Sequence, residues 1–336
     1  DASWEIDLFG RVRRSVESAD AALESFAAEA DDARLTLIGD VATNYIALRG
    51  NQRRLAIARE TLKAQQDTAN LTREKFAGGL VSKLDVTRAE GSARSTASGI
   101  PTLETALRAS LFRLGVLLGQ APGALLAELG PEKPIPVADL APDAGIPAEL
   151  VRRRPDIRAA ERTYAANVAE IGVAEAALYP SLSIAGAIGI NVATTDKITD
   201  PNSRTWSLGP SISLPIFNAG RLRANVRVRE ATAERARLAY EGAVLLAMEE
   251  VENTLVAYEQ ERIRRDELRV AVENFREAQS LAKELYAQGL ASFLEVLDAD
   301  RSAYSADDAL ATSEARVATN LVALCKALGG GWTVGQ

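Results

Sequence analysis

The chain has 336 residues, 47% of them hydrophobic and 25% charged, with a net charge of −7; that is about two average domains and argues against a nucleic-acid partner. It has no histidine and one cysteine, Cys325, which excludes a His/Cys metal cluster, Ser-His-Asp or Cys-His catalysis and an internal disulfide. No apolar run approaches the ~20 residues of a membrane-spanning helix, whereas a membrane β-barrel, whose strands alternate, stays open.

In chain order, residues 1–9 (DASWEIDLF) read as the end of a strand. Residues 10–119 read as a long helical hairpin, with apolar steps of three and four at Ile38, Val41, Tyr45 and Leu48. It turns at Gly78-Gly79 and ends near Gly119, since glycine supplies the left-handed conformation that closes a helix. Pro101 should kink or interrupt the returning helix. Six of the twelve prolines fall between Pro122 and Pro147, so residues 120–147 form a linker, read as a belt outside the helices. Helix formers resume at Ala148 and run to 180, and Arg152, Arg153 and Arg154 cap or solvate that helix.

Residues 181–217 read as a β-hairpin. Leu182, Ile184, Ile188, Ile190 and Val192 alternate with serine, alanine, glycine and Asn191. Trp206, Leu208, Pro210, Ile212, Leu214 and Ile216 alternate with Ser207, Gly209, Ser211 and Ser213. One face is apolar and the other small or polar; the lengths suit a tilted strand crossing a bilayer. Trp206, Leu208, Ile212 and Leu214 are the expected lipid-facing residues. Trp206, Tyr179 and Phe217 fall where an aromatic girdle would sit, and Asn191 to Arg204 should be an external loop. An ordinary amphipathic hairpin packed on helices has the same pattern. Residues 218–329 form the second long hairpin. From Gly220 to Gln288 there is no proline and one internal glycine, Gly242. Its apolar steps run Val244, Met248, Val251, Leu255, Tyr258, Leu268, Val272 and Phe275. At about 1.5 Å per residue such a helix is about 100 Å long. Residues 330–336 are a tail, and Cys325, in an apolar helical stretch, reads as a small packed residue.

The two hairpins are one unit written twice. LTREKFAGGLVSKLDVTRAEGSARS from Leu71 aligns without gaps with LAKELYAQGLASFLEVLDADRSAYS from Leu281, an offset of 210 residues. The same offset carries Gly10-Arg11 onto Gly220-Arg221 and Leu118-Gly119 onto Leu328-Gly329. The second unit is preceded by a helix and two strands, the first by only a strand remnant. The expectation is therefore that at least about 60 residues, with an export signal, precede Asp1. Open sheet edges are not tolerated in lipid, so the strands require several protomers to close a barrel.

RRRPDIRAAERTYAANVAEIGVAEAALYPSLSIAG (152–186), WEIDLFGR (4–11), LPIFNAGRLRAN (214–225), the two turn sequences FAGGLVSKLDV and YAQGLASFLEVLDADRS, and KALGGGW (326–332) resemble, in order, the motifs of TolC-like outer-membrane efflux proteins, in particular the OprM/NodT branch. The resemblance implies a mainly helical fold with a transmembrane β part. A homotrimer would share a 12-stranded outer-membrane β-barrel continued by a 12-helix α-barrel across the Gram-negative periplasm. It implies no enzyme and no cofactor, but a passive exit duct for drugs or other toxic small molecules. Its partners would be a periplasmic adaptor, an inner-membrane transporter of the resistance-nodulation-division type, and outer-membrane lipid. The branch usually carries a lipidated N-terminal cysteine; Cys325 is not its counterpart. A type I secretion duct, a periplasmic adaptor hairpin and a structural coiled coil are the alternatives.

By the same resemblance the turns Gly79-Leu80-Val81-Ser82 and Gly289-Leu290-Ala291-Ser292 are docking tips for adaptor hairpins, or simply turn residues. Leu294 and Asp298, one helical turn apart, match the leucine and aspartate rings that close the pore, and Arg301 either latches the helix to a neighbour or is an ordinary solvated helix charge. Three Asp298 carboxylates around an axis would favour cations and make closure sensitive to pH and ions. The first repeat has Leu84 and Arg88 at these sites, so no second aspartate ring is expected.

Overall fold

A computed structural model of the chain describes residues 1–136, 153–191 and 201–330. Strand β1 (Ala2–Ile6) is followed by helices α1 (Arg11–Ala77), α2 (Lys83–Leu117) and α3 (Leu126–Leu129). Then come α4 (Pro155–Ala176), β2 (Ser181–Ile190), a short 3-10 turn at Pro201–Ser203, β3 (Arg204–Ser213), α5 (Arg221–Ala287) and α6 (Phe293–Ala327). The repeat is reproduced without slippage: α1 and α5 each have 67 residues, α2 and α6 each have 35. Every boundary of the second pair lies 210 positions after the first. The left-handed glycines repeat as well, Gly10 with Gly220, Gly79 with Gly289 and Gly119 with Gly329.

The chain divides into two compact units, and α1 and α5 contribute to both. The first comprises residues 1–33 and 148–248. Its sheet has the order β1-β2-β3, antiparallel throughout, with Trp4 opposite Ile184, Leu182 opposite Ile212 and Ile188 opposite Trp206. Opposed residues share a face, so these apolar pairs form one surface. Ser3/Ala185, Ser183/Ser211, Ala185/Gly209 and Ala187/Ser207 form the other. The strands are shorter than expected: β1 stops at Ile6 and β3 at Ser213, leaving Leu8, Phe9, Leu214 and Ile216 in the connections. Pro215 explains the second stop, because it cannot donate to a ladder. Small residues let the helices approach. Ala21 and Ala28 of α1, Ala159 and Ala169 of α4 and Ala233 of α5 are buried, and Gly172 accepts the Arg14 side chain where a Cβ would lie 2.9 Å from Arg14 Cγ. Ser25 Oγ donates to the Ala159 carbonyl at 3.0 Å.

The second unit comprises residues 34–147 and 249–336. Leu48, Leu111, Leu114 and Leu125 form one core; Tyr258, Val317, Leu321 and Leu324 form another, with Cys325 packed beside it. Pro101 does not break α2, which continues from Lys83 to Leu117. The missing N–H removes one backbone bond, and buried Ala93 and Leu111 on either side hold the helix in register. At the start of the linker Ile135 packs on Ile46 and Ala318, and the chain after α3 is clamped from α1. There the buried Arg49 guanidinium donates to the Pro131 carbonyl at 2.8 Å, and Gln52 Nε2 to that of Leu129 at 2.8 Å. Residues 137–152, with Arg152, lie outside the described residues, as do Val192 and most of the expected external loop.

The apolar stripe is less uniform than its spacing suggests. Leu48, Val251, Tyr258 and Val272 are buried, whereas Ile38, Met248 and Phe275 are exposed. A repeat of 3.5 drifts about 20° per heptad around a straight helix of 3.6 residues per turn, so such a stripe does not stay against one partner within a single chain.

Candidate tips and gate helix

Each tip is built from a helix stop and a helix start. At the first, the Leu80 N–H donates to the Lys75 carbonyl and the Gly79 N–H to that of Phe76, both at 2.9 Å; Leu290 and Gly289 repeat this on Leu285 and Tyr286. This is a Schellman closure, and the positive φ of Gly79 and Gly289 is what it requires. The start of α2 is a reciprocal cap. The Asp85 N–H donates to Ser82 Oγ at 3.3 Å, and the Ser82 N–H to the Asp85 carboxylate at 3.1 Å. At α6 the Ser292 N–H donates to the Glu295 carboxylate at 2.7 Å. Closing the backbone this way leaves Leu80 and Leu290 outward, 76% and 72% exposed, while Val81 and Ala291 are half-buried.

The two tips are also joined to each other, which the sequence reading did not foresee. Lys75 Nζ donates to the Tyr286 carbonyl and lies 4.3 Å from the centre of the Tyr286 ring. The Tyr286 hydroxyl donates to Thr72 Oγ1 at 3.2 Å. Below them Ala69, Ala89, Tyr286, Phe293, Val296 and Leu297 form a closed apolar cluster. The signal lay in repeat positions that differ, Lys75 against Leu285 and Phe76 against Tyr286.

On α6 the gate residues occupy one face. Phe293, Val296, Leu297, Asp300 and Ala303 are buried at steps of three and four, while Leu294, Asp298 and Arg301 are exposed between them. Neither Asp298 nor Arg301 has an ion pair among the described residues. Arg301 instead lines a groove of about 390 Å³ with Arg88, Gly91, Ser95 and Tyr304. A second pair escaped the sequence reading. Buried Asp300 accepts from Lys283 Nζ at 2.9 Å and Gln279 Nε2 at 2.8 Å. Its repeat counterpart is the exposed pair Arg73–Glu90, 2.8 Å apart, where the arginine hydrogen bond holds the Glu90 carboxyl below its usual range.

On the sheet, Trp206, Leu208 and Ile212 are exposed along β3, with Ile188 beside Trp206 on β2. Leu214 is exposed too, but follows the strand rather than belonging to it. Among the described residues no helix is long and apolar enough to cross a membrane, and no cluster of metal-ligating side chains occurs.

The family model for outer membrane efflux proteins matches residues 1–120 and 146–330. The Nodulation protein T of Rhizobium leguminosarum bv. trifolii is 39% identical over 332 residues, 98% of this chain and 70% of that protein. Outer membrane protein OprJ of Pseudomonas aeruginosa is 36% identical, over 99% of this chain and 69% of its own length. The solved outer-membrane channel OprN superposes with a TM-score of 0.91 at 39% identity, covering 98% of this chain and 74% of that one. A duplicated helical hairpin joined to an amphipathic sheet, matched along nearly its whole length to such channels, belongs to the outer membrane efflux protein family.

Proposed function

We propose that this chain closes and opens an efflux exit duct through the face of α6 that carries Leu294 and Asp298. The family supplies the setting: its members are non-enzymatic channels of the Gram-negative outer membrane that form trimers and work with a periplasmic adaptor and an inner-membrane transporter. Within it, three copies of Leu294 form an apolar constriction and three copies of Asp298 a ring of negative charge one turn away. Such a ring favours cations at the mouth. The observation that carries this reading is the division of α6 into a buried stripe and an exposed one, with both residues on the exposed side.

The tips 79–82 and 289–292 receive the adaptor. Exposed Leu80 and Leu290 offer it apolar contact, and an adaptor that binds the parted hairpins better than the closed ones shifts the equilibrium toward opening. Arg301 latches α6 to a neighbouring helix of the assembled duct. The apolar face of β2 and β3, with Trp206, Leu208 and Ile212, faces lipid, and Leu214 continues it toward α5. The pump served is of the resistance-nodulation-division type.

Conductance across a planar bilayer tests the gate. Reconstituted wild-type trimers should conduct weakly and prefer cations. Leu294→Ala combined with Asp298→Ala should raise conductance severalfold and abolish the preference. Unchanged conductance and selectivity in that variant would remove α6 from the gate.

A further inference from the structure

The two repeats begin with different charge. Positions 1–20 carry three arginines and five carboxylates, whereas positions 211–230 carry four arginines and one carboxylate. In the first repeat the arginines that open α1 have partners. Arg11 pairs with Glu5, Arg13 with Asp7 at 3.2 Å, and Arg14 with Glu17 at 2.6 Å. In the second repeat Arg221 and Arg223 occupy the positions of Arg11 and Arg13, but Pro215 replaces Glu5, Phe217 replaces Asp7 and Arg227 replaces Glu17. Among the described residues the exposed side chains of Arg221 and Arg223 have neither an ion pair nor a hydrogen bond. Helix stability does not account for them, because cations are disfavoured at a helix start.

The chain that leads into them is apolar, and Arg221 also borders a cleft lined by Glu5 and Asp7, whose carboxylates are already paired with Arg11 and Arg13. Ile216 and Phe217, between the end of β3 and Arg221, are 88% and 93% exposed, and they follow the exposed Trp206, Leu208, Ile212 and Leu214 along the chain. By contrast, Phe9 before α1 is stacked on Tyr179, ring centres 4.8 Å apart. An exposed apolar ribbon that ends in unpaired guanidinium groups has the chemistry of a membrane boundary. There the arginine stem lies on acyl chains and the fork reaches a phosphate. We propose that Arg221, Arg223 and Phe217 form a headgroup site for anionic phospholipid in the leaflet at the helical end of the barrel. Losing the acidic partners in one repeat exposes charge that the other neutralises internally. The site rests on the lipid-facing reading of β3.

Fluorescence quenching by phospholipids with brominated acyl chains tests both, using full chains reconstituted in phosphatidylcholine vesicles. One chain keeps Trp206 alone, with Trp4→Phe and Trp332→Phe. A second carries Phe217→Trp as its only tryptophan, with Trp206→Phe added. Brominated phosphatidylcholine should quench Trp206; no quenching there would overturn the lipid-facing reading itself. The reporter at position 217 should prefer brominated phosphatidylglycerol over phosphatidylcholine by about thirtyfold, the scale expected for two basic residues at a surface. Arg221→Gln with Arg223→Gln should bring that ratio near one. Arg221→Lys with Arg223→Lys should keep most of it, and Arg11→Gln with Arg13→Gln should leave it unchanged. With Trp206 quenched, a ratio near one in the reporter chain, or one unaffected by the glutamine pair, overturns the proposal. Loss of the trimer on size exclusion with an unchanged ratio would likewise overturn it and assign the arginines to a neighbouring protomer.

Discussion

At the scale of single residues, duplication allows an internal comparison. Lys283–Asp300 and Arg73–Glu90 are the same pair in two settings, the first with a carboxylate only 4% exposed and the second on the surface. Removing the cation from a buried carboxylate leaves an uncompensated charge, whereas a surface pair is screened by water. Lys283→Met should therefore destabilise by on the order of 2 kcal/mol, discounted because the lysine is itself partly solvated. Arg73→Met should leave the unfolding midpoint within error, and equal losses would contradict the comparison. Asp156 gives the pH dependence. Burial opposes its ionisation, but the Arg154 hydrogen bond and charge, with the Ile157 N–H, outweigh it and hold the carboxyl below its usual range. A depressed carboxyl contributes stability that is complete above the unfolded value, about 4, and lost as pH falls through the folded value. The stability gap between wild type and Asp156→Asn, measured by denaturant unfolding, should be present at pH 7 and close below about pH 4.

At the scale of elements, both long hairpins were legible because their signals are local. Glycine at each stop bounds the helices closely, and the structure adds a serine three residues before a carboxylate at the starts of α2 and α6. Ser82→Ala should cost about 1 kcal/mol, read from the unfolding midpoint of the trimer. Pro101, expected to kink or interrupt α2, does not interrupt it, since tertiary packing on both sides outweighs one missing hydrogen bond. Pro101→Ala restores the N–H opposite the Ala97 carbonyl and should stabilise by roughly 1–3 kcal/mol; a lower midpoint would mean that the proline shapes α2 for a contact the alanine cannot make. Strand ends were less legible. Alternation continues through Leu214 and Ile216, but a ladder needs donors as well as alternation, and Pro215 has none. The seam residues Ile38, Met248 and Phe275 illustrate a further limit: periodicity tells which side chains share a helix face, not which chain covers that face.

At the scale of the whole molecule, the sequence carried the family through motifs spread in order along the chain, and the matched channels agree with it. The candidate gate was only partly legible. Leu294, Asp298 and Arg301 could be named, and they do share an exposed face of α6. The tip clasp of Lys75, Thr72 and Tyr286, and the Asp300 site, could not be named, because they join residues more than 200 positions apart or depend on burial. A pore closed by symmetry makes a direct prediction: the same residue from different protomers meets at the axis. The decisive measurement is dye export from cells that depend on this chain carrying Asp298→Cys with Cys325→Ser. Oxidation should link protomers through position 298 and stop export, and a reductant should restore it. Export that continues while the protomers are linked, or protomers that never link at this position, would contradict a duct gated by α6.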